Sequence, residues 1–273
     1  MEALLDTIRR MRAAGGERLA VDAPTAGPFA AFDPAQLRVE VAPGASAQLV
    51  VVHTAAGVSS LEVALGEGAS LDLAEGFLAE AFAELHVRQS ARSACRMTAV
   101  ELASANASWR ISLEGREASS DVGALFLAGA GEHGVMRLRT DHRVADCRSE
   151  SLVKGVAAAD GVGEFHGLVY VAPDAQRTDA RQQSRNVVLG DAARIVAEPQ
   201  LEIYADDVKC SHGATVGRMD DEAILYMRQR GLSEAQARRL QLEGFAGDVV
   251  ARCGIEPLGE ALAEAVAARL AHI

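Results

Sequence analysis

The chain is poor in the residues that mark several functional classes. Only 4% of its 273 residues are aromatic, with a single Trp and three Tyr. Sugar grooves and base-stacking platforms are built from exposed rings, so this scarcity argues against both. Basic residues are outnumbered, 27 Lys and Arg against 38 Asp and Glu, for a net charge of −11. Nucleic-acid binding rests on a basic surface, so no nucleic-acid partner is expected. No apolar run reaches the roughly 18 residues that a spanning helix needs, so no membrane partner is expected. The opening "MEALLDTIRRMRAAGGERLA" has no apolar stretch of signal-peptide length and reads as a short amphipathic helix. The four cysteines, Cys95, Cys147, Cys210 and Cys253, form no C-x-x-C pair and fit neither a disulfide framework nor a zinc finger. Reduced thiols in a cytoplasmic protein are the simplest reading. Alone, the chain lacks the clustered thiolates that usually hold an iron–sulfur cluster.

What the chain has is apolar residues, 49% of the total, enough for a substantial core. Three regions separate by pattern. Residues 1–35 read as a short helix and then a loop of small residues and proline, "VDAPTAGPFAAFDPAQ". Residues 36–217 read as short strands, because apolar residues recur at every second position: Leu61, Val63 and Leu65; Trp109, Ile111 and Leu113; Phe165, Val169 and Val171. A weak repeat runs through them. Gly44-Ala45-Ser46 recurs 24 residues on as Gly68-Ala69-Ser70, and again as Arg92-Ser93-Ala94 without the glycine. A period of that length built from short strands suggests a solenoid such as a parallel β-helix; a β-sandwich with two similar turns is the alternative.

Residues 218–273 switch to helical signals. "MDDEAILYMRQRG" carries acids in its first turn, arginines in its last and Gly231 as a stop. Ser233 and Gln236 have capping-box spacing, and Pro257 opens a stripe of Leu258, Leu262, Val266 and Leu270. This helical tail either caps the solenoid or docks a partner.

Few residues suggest chemistry. His53, His86, His142 and His166 are isolated, and a lone imidazole is not a site; His166 should face away from Phe165. "KGV" at 154–156 reads as a turn and "NVVLG" at 186–190 as a buried strand. Cys210 and His212 are two apart, so on a strand they share a face. Together they suit a soft or borderline metal, or a nucleophile with its base. No third orienting group is evident, and two ligands do not complete a metal site. On spacing alone, a partly buried thiol beside a surface imidazole comes first.

The segment "PQLEIYADDVKCSHGATVGRMDDEAILYMRQRGLSEAQARRLQLEGFAGDVV", with "SLVKGVAAADGVGEFHGLVYVAPDAQRTDARQQSRNVVLG" upstream, resembles the C-terminal core of the SufB/SufD family of iron–sulfur cluster assembly proteins. Its wording is that of the SufD branch. The likeness is specific from about His142 to Val250 and weak over residues 1–130. It implies a right-handed parallel β-helix with a small C-terminal helical domain. It implies a scaffold subunit, not an enzyme by itself, that pairs with a SufB-type paralogue through the β-helix and with a SufC-type ATPase through its helices. His212, with Cys210 beside it, then becomes a candidate metal ligand at the subunit interface, for iron or a transient cluster shared with the partner and not held by this chain alone. Asp206, Asp207 and Lys209 would set the local charge or pair across that interface. The run Ile224, Leu225, Tyr226 and Met227 is the candidate ATPase-docking element. The chain is short for this branch, so most of the N-terminal region of long members is expected to be missing. No flavin-binding motif is visible. Two other readings stand beside this one: a homodimeric SufB-like scaffold, and a β-helix carbohydrate-active enzyme, which would want paired carboxylates and aromatic subsites.

Overall fold

The computed structural model describes residues 1–273. A short helix, α1 (Glu2–Arg9), precedes β1 (Arg12–Ala13), β2 (Arg18–Val21), β3 (Phe29–Phe32), β4 (Gln36–Val41) and β5 (Ser46–His53). The chain continues through β6 (Gly57–Leu65), β7 (Ser70–Phe77), β8 (Ala81–Gln89), β9 (Ala94–Glu101), β10 (Ala105–Leu113) and β11 (Ser119–Ala128). Then come β12 (His133–His142), β13 (Arg148–Ala158), β14 (Val162–Val171), β15 (Asp179–Leu189), β16 (Arg194–Ile203) and β17 (Lys209–Gly217). Three helices end the chain: α2 (Asp221–Gln229), α3 (Glu234–Val250) and α4 (Glu256–Leu270).

Odd-numbered strands form one nine-stranded sheet and even-numbered strands an eight-stranded one, each in chain order and each wholly parallel. The backbone therefore alternates between two facing sheets and climbs one strand per coil, as a β-solenoid does. A β-sandwich with hairpin connections is excluded. Strands already begin at Arg12, so the segment expected to be a helix and a loop also contributes β1, β2 and β3. Its small residues carry no readable period, yet β3 pairs with β5 from Phe29 to Phe32.

The 24-residue repeat is the coil. Ser46 lies opposite Ser70, and Gly57 opposite Ala81. Coils then lengthen: Ala105 faces Gly134, 29 residues on, and Val162 faces Arg194, 32 on. Six successive coils have a left-handed residue at the same corner: Gly44 (φ 71°), Gly68 (65°), Arg92 (56°), Glu117 (63°), Asp146 (66°) and Arg177 (58°). The corner N–H donates to the next coil, as from Gly44 to the Glu67 carbonyl and from Gly68 to that of Ala91, both at 2.9 Å or less. That bond fixes the conformation whether or not glycine supplies it. Glycine relieves the Cβ clash at the first two corners only.

Between the sheets the narrow coils are packed with apolar side chains, among them Leu49, Leu61, Leu85, Met97, Trp109 and Ile111. Some polar side chains inside find partners one coil away. His53 bonds Glu75 at 2.9 Å and stacks on Phe77, and the Trp109 indole donates to Glu75 at 2.7 Å. Glu101 is buried close to Glu75; desolvation and that neighbouring charge hold its carboxyl well above the usual range. On the outer face of the eight-stranded sheet, His86 reaches Ser112 at 3.2 Å. These histidines have partners 22 to 26 residues along the chain, where their own strands suggest none.

The two outer faces differ. That of the nine-stranded sheet is apolar over its first part (Val50, Val52, Val100, Leu125, Leu127, Leu152), and α1, α3 and α4 cover it. Strands buried on both faces read as continuous apolar runs, such as "ALFLA" at 124–128. The outer face of the eight-stranded sheet is polar and open, and its strands alternate. Phe165 points inward and His166 outward, as expected.

"KGV" at 154–156 is not a turn; it lies within β13. Lys154 is buried on the outer face, where its ammonium donates to the Phe245 carbonyl at 2.7 Å and pairs with Asp248 at 2.5 Å. Arg252 reaches Asp121 at 2.5 Å and Glu150 at 2.9 Å, and Arg269 pairs with Glu132. Three cations thus clamp the helices to the sheet. The helix ends follow the sequence signals: Asp220 caps α2, Ser233 and Gln236 form a capping box on α3, and Pro257 opens α4. No helix is long and apolar enough to cross a membrane.

Candidate functional site

The last coil, β16 and β17, has nothing stacked beyond it. Its strands are the last edge of each sheet, β1 and β2 being the first. Side chains that point between the sheets in every earlier coil are here uncovered. Val216 is 48% exposed and Ile203 39%, with Tyr204 next to Ile203 at 60%. An apolar rim over unpaired strand edges is a surface that invites pairing.

Cys210 and His212 lie on β17, on the face that looks between the sheets. The structure brings them to one surface, as their spacing requires. Cys210 is half-buried and packs on the small cluster of Val169, Val171, Ala175, Ala180 and Ala205. Burial pushes its thiol up, with Asp179 adding to the effect, so it is protonated at neutral pH. His212 is exposed. In register, Cys210 sits against Ala180 and His212 against Gln182.

Beneath this coil the packing turns polar. Gln182, Ser184 and Asn186 of β15 are all buried. Asn186 donates to the Ser184 hydroxyl at 2.9 Å and to the Thr215 carbonyl at 3.1 Å. Neither amide atom of Gln182 has a hydrogen-bond partner. Gly167 leaves the room it occupies; a Cβ there would stand 2.3 Å from Gln182 Oε1. One coil further in, His142 is buried and bonds the Ser149 hydroxyl at 2.8 Å, and desolvation pushes its imidazole down to about 4.

Asp206 and Asp207 are exposed in the turn before β17, and Lys209 is exposed at its first position. No group of three or more His, Cys, Asp or Glu side chains is arranged to hold a metal ion. Cys210 and His212 therefore offer at most two donors. On α2, Ile224 is buried, Leu225 and Tyr226 are exposed, and Met227 is half-buried. The Arg230 guanidinium lies 3.6 Å over the Tyr226 ring. The apolar run thus splits between packing and surface. Sequence reasoning missed the Lys154 clamp and the polar layer under His212, because both depend on partners from other coils or helices.

Comparison with known proteins bears on residues 29–245, which match the family model described as "SUF system FeS cluster assembly, SufBD core domain". The chain is 36% identical over 158 residues to the iron–sulfur cluster assembly protein SufD of Escherichia coli, covering 58% of this chain and 37% of that protein. It is 37% identical over 150 residues to an iron–sulfur cluster assembly SufBD family protein of Mycobacterium leprae, covering 52% and 38%. Against the SufD protein of Bacillus subtilis the identity is 34% over 115 residues, covering 42% and 26%. The chain thus spans well under half the length of these relatives.

Proposed function

The chain belongs to the SufB/SufD family of iron–sulfur cluster assembly proteins, and from that premise we propose that it is a scaffold subunit whose open last coil forms one side of a cluster-assembly site. In this reading β16 and β17 pair with a SufB-type paralogue. His212, with Cys210 beside it, supplies ligands to iron or a nascent cluster, which is cargo shared with that partner. A SufC-type ATPase docks on the helical region, with Leu225 and Tyr226 as its exposed contacts. The subunit performs no catalysis by itself and works in the cytoplasm.

The observation that carries this reading is the uncovered coil itself. A solenoid end needs a cap, yet the helices that could serve lie on the side of the nine-stranded sheet. The end is left with free edges, exposed apolar side chains and a two-donor face. Two donors suffice only if a second chain completes the set. An exposed His212 makes no packing contribution that would explain it otherwise.

The test uses His212→Ala in the complex reconstituted with a SufB-type and a SufC-type subunit. An exposed histidine lost to alanine changes stability by no more than about 0.5 kcal/mol. Melting temperature and assembly should therefore hold while iron content and cluster formation collapse. Normal iron content would end the ligand role. Assembly of the complex from two copies of this chain, with no paralogue, would favour the homodimeric scaffold.

A further inference from the structure

The outer face of the eight-stranded sheet carries one patch unlike its surroundings, apart from the open end. Asp141 on β12 has a fully buried side chain, and three arginines converge on it. Arg110 on β10 donates Nε and Nη2 to Asp141 Oδ2 at 3.0 and 2.8 Å. Arg139 donates Nε to Oδ1 at 2.8 Å, and Arg143 donates Nη2 to Oδ2 at 3.1 Å. No other carboxylate pairs with any of the three. A guanidinium carries five N–H donors, so most of these donors have no acceptor in the chain. The side chains are 40 to 47% exposed and open to solvent.

Three cations on one carboxylate leave an excess of two positive charges in a protein whose net charge is −11. The field reaches His86, next to Arg110 in register. Desolvation and the charges of Arg110 and Arg88 hold that imidazole below its usual value, against the opposing pull of Glu114 and Glu62. Asp141 thus acts as a template that gathers like charges, and their repulsion is relieved by a second anion. Aromatic rings stand alongside, although the chain has few. Arg139 and Arg143 lie 5.8 and 5.3 Å from the Tyr170 ring centre, and the exposed Tyr204 ring is 5.7 Å from Tyr170.

We propose that Arg110, Arg139 and Arg143, organised by Asp141, form a binding site for a phosphate-bearing ligand, with Tyr170 and Tyr204 as its wall. A phosphate presents several oxygens and more than one negative charge, which matches guanidinium forks arriving from two strands and a turn. A single carboxylate already occupies the centre and leaves the excess charge in place. The acidic Glu202, beside Tyr170 in register, bounds the site on its far side.

Titration calorimetry of the full chain with inorganic pyrophosphate at low salt tests this. One site is expected, weakening as salt rises. Arg110→Gln and Arg143→Gln should each weaken it by about tenfold or more. Arg38→Gln, on the same face but paired with Glu62, should leave it unchanged. Circular dichroism and melting of each variant establish that the fold is retained. Absence of binding at millimolar pyrophosphate overturns the proposal. So does equal affinity in the folded arginine variants, or displacement of pyrophosphate by a lower concentration of a polyglutamate peptide.

Discussion

The narrow coils near the start and the wide coils near the end are built on one backbone plan but solve burial differently. In the first, coils of 24 residues enclose Leu49, Leu61, Leu85 and Trp109, helices cover one outer face, and the next coil covers the last. In the second, coils of 29 to 32 residues enclose Gln182, Ser184, Asn186 and His142, and the final coil, which covers them, is itself covered by no further strand. The first region is complete as it stands. The second ends in an exposed coil, which in the proposed function a partner surface covers. The difference teaches where stability and assembly are divided along the solenoid: the apolar half holds the fold, and the polar, open half is free to be shaped by what it meets.

The strongest way to break that contrast is by core truncation. Trp109→Ala in a narrow coil removes a fully buried ring and leaves Glu75 without its indole donor. It should cost about 3–5 kcal/mol. Val216→Ala in the open coil, half exposed already, should cost no more than about 0.5 kcal/mol. Chemical denaturation of both variants checks the pair, and comparable losses would erase the distinction.

The next effect sharpens the contrast through pH. His142, in a wide coil, is held neutral with its pKa down at about 4. Between its ordinary value of about 6.5 and about 4, the unfolded chain takes up a proton that the folded chain refuses, so stability falls as pH drops through that window. The loss is up to about 3 kcal/mol, and His142→Gln should flatten it. Glu101, in a narrow coil, has a raised pKa, and its sign is opposite. The folded chain keeps a proton that the unfolded chain releases above the usual carboxylate range, so stability falls as pH rises. Glu101→Gln should remove that slope. Melting temperature against pH for both variants separates the two regions.

Part of this contrast is legible in the sequence. Alternation at Leu61, Val63 and Leu65, the 24-residue spacing, and the Ser233–Gln236 cap each act locally, so a one-dimensional pattern suffices to find them. Cys210 and His212 share a face for the same reason. The illegible part depends on chain one coil or one helix away. His53 looks solitary until the coil brings Glu75 beside it. Lys154 looks like a turn residue until α3 arrives with Asp248. Phe29–Phe32 becomes a strand because β5 pairs with it, not through any period of its own. The last coil is open because the chain leaves β17 for the helices and stacks no further strand on it, and no window of residues contains that spatial fact.

A smaller prediction concerns the coil corner, where both regions obey the same geometry. Glu117 adopts the left-handed conformation that Gly44 and Gly68 adopt without strain. Glu117→Gly should relieve that strain, partly offset by the greater freedom of the unfolded chain. A net gain of about 0.5 kcal/mol is expected, read from the denaturation midpoint.

The central claim is that the open coil is the assembly surface. Amide hydrogen exchange across β17, measured with and without a SufB-type paralogue, tests it most directly. The edge amides of Lys209–Gly217 should exchange fast in the chain alone and become protected in the complex, with the narrow coils unchanged. Unaltered exchange at β17, with new protection on the outer face of the eight-stranded sheet, would contradict it.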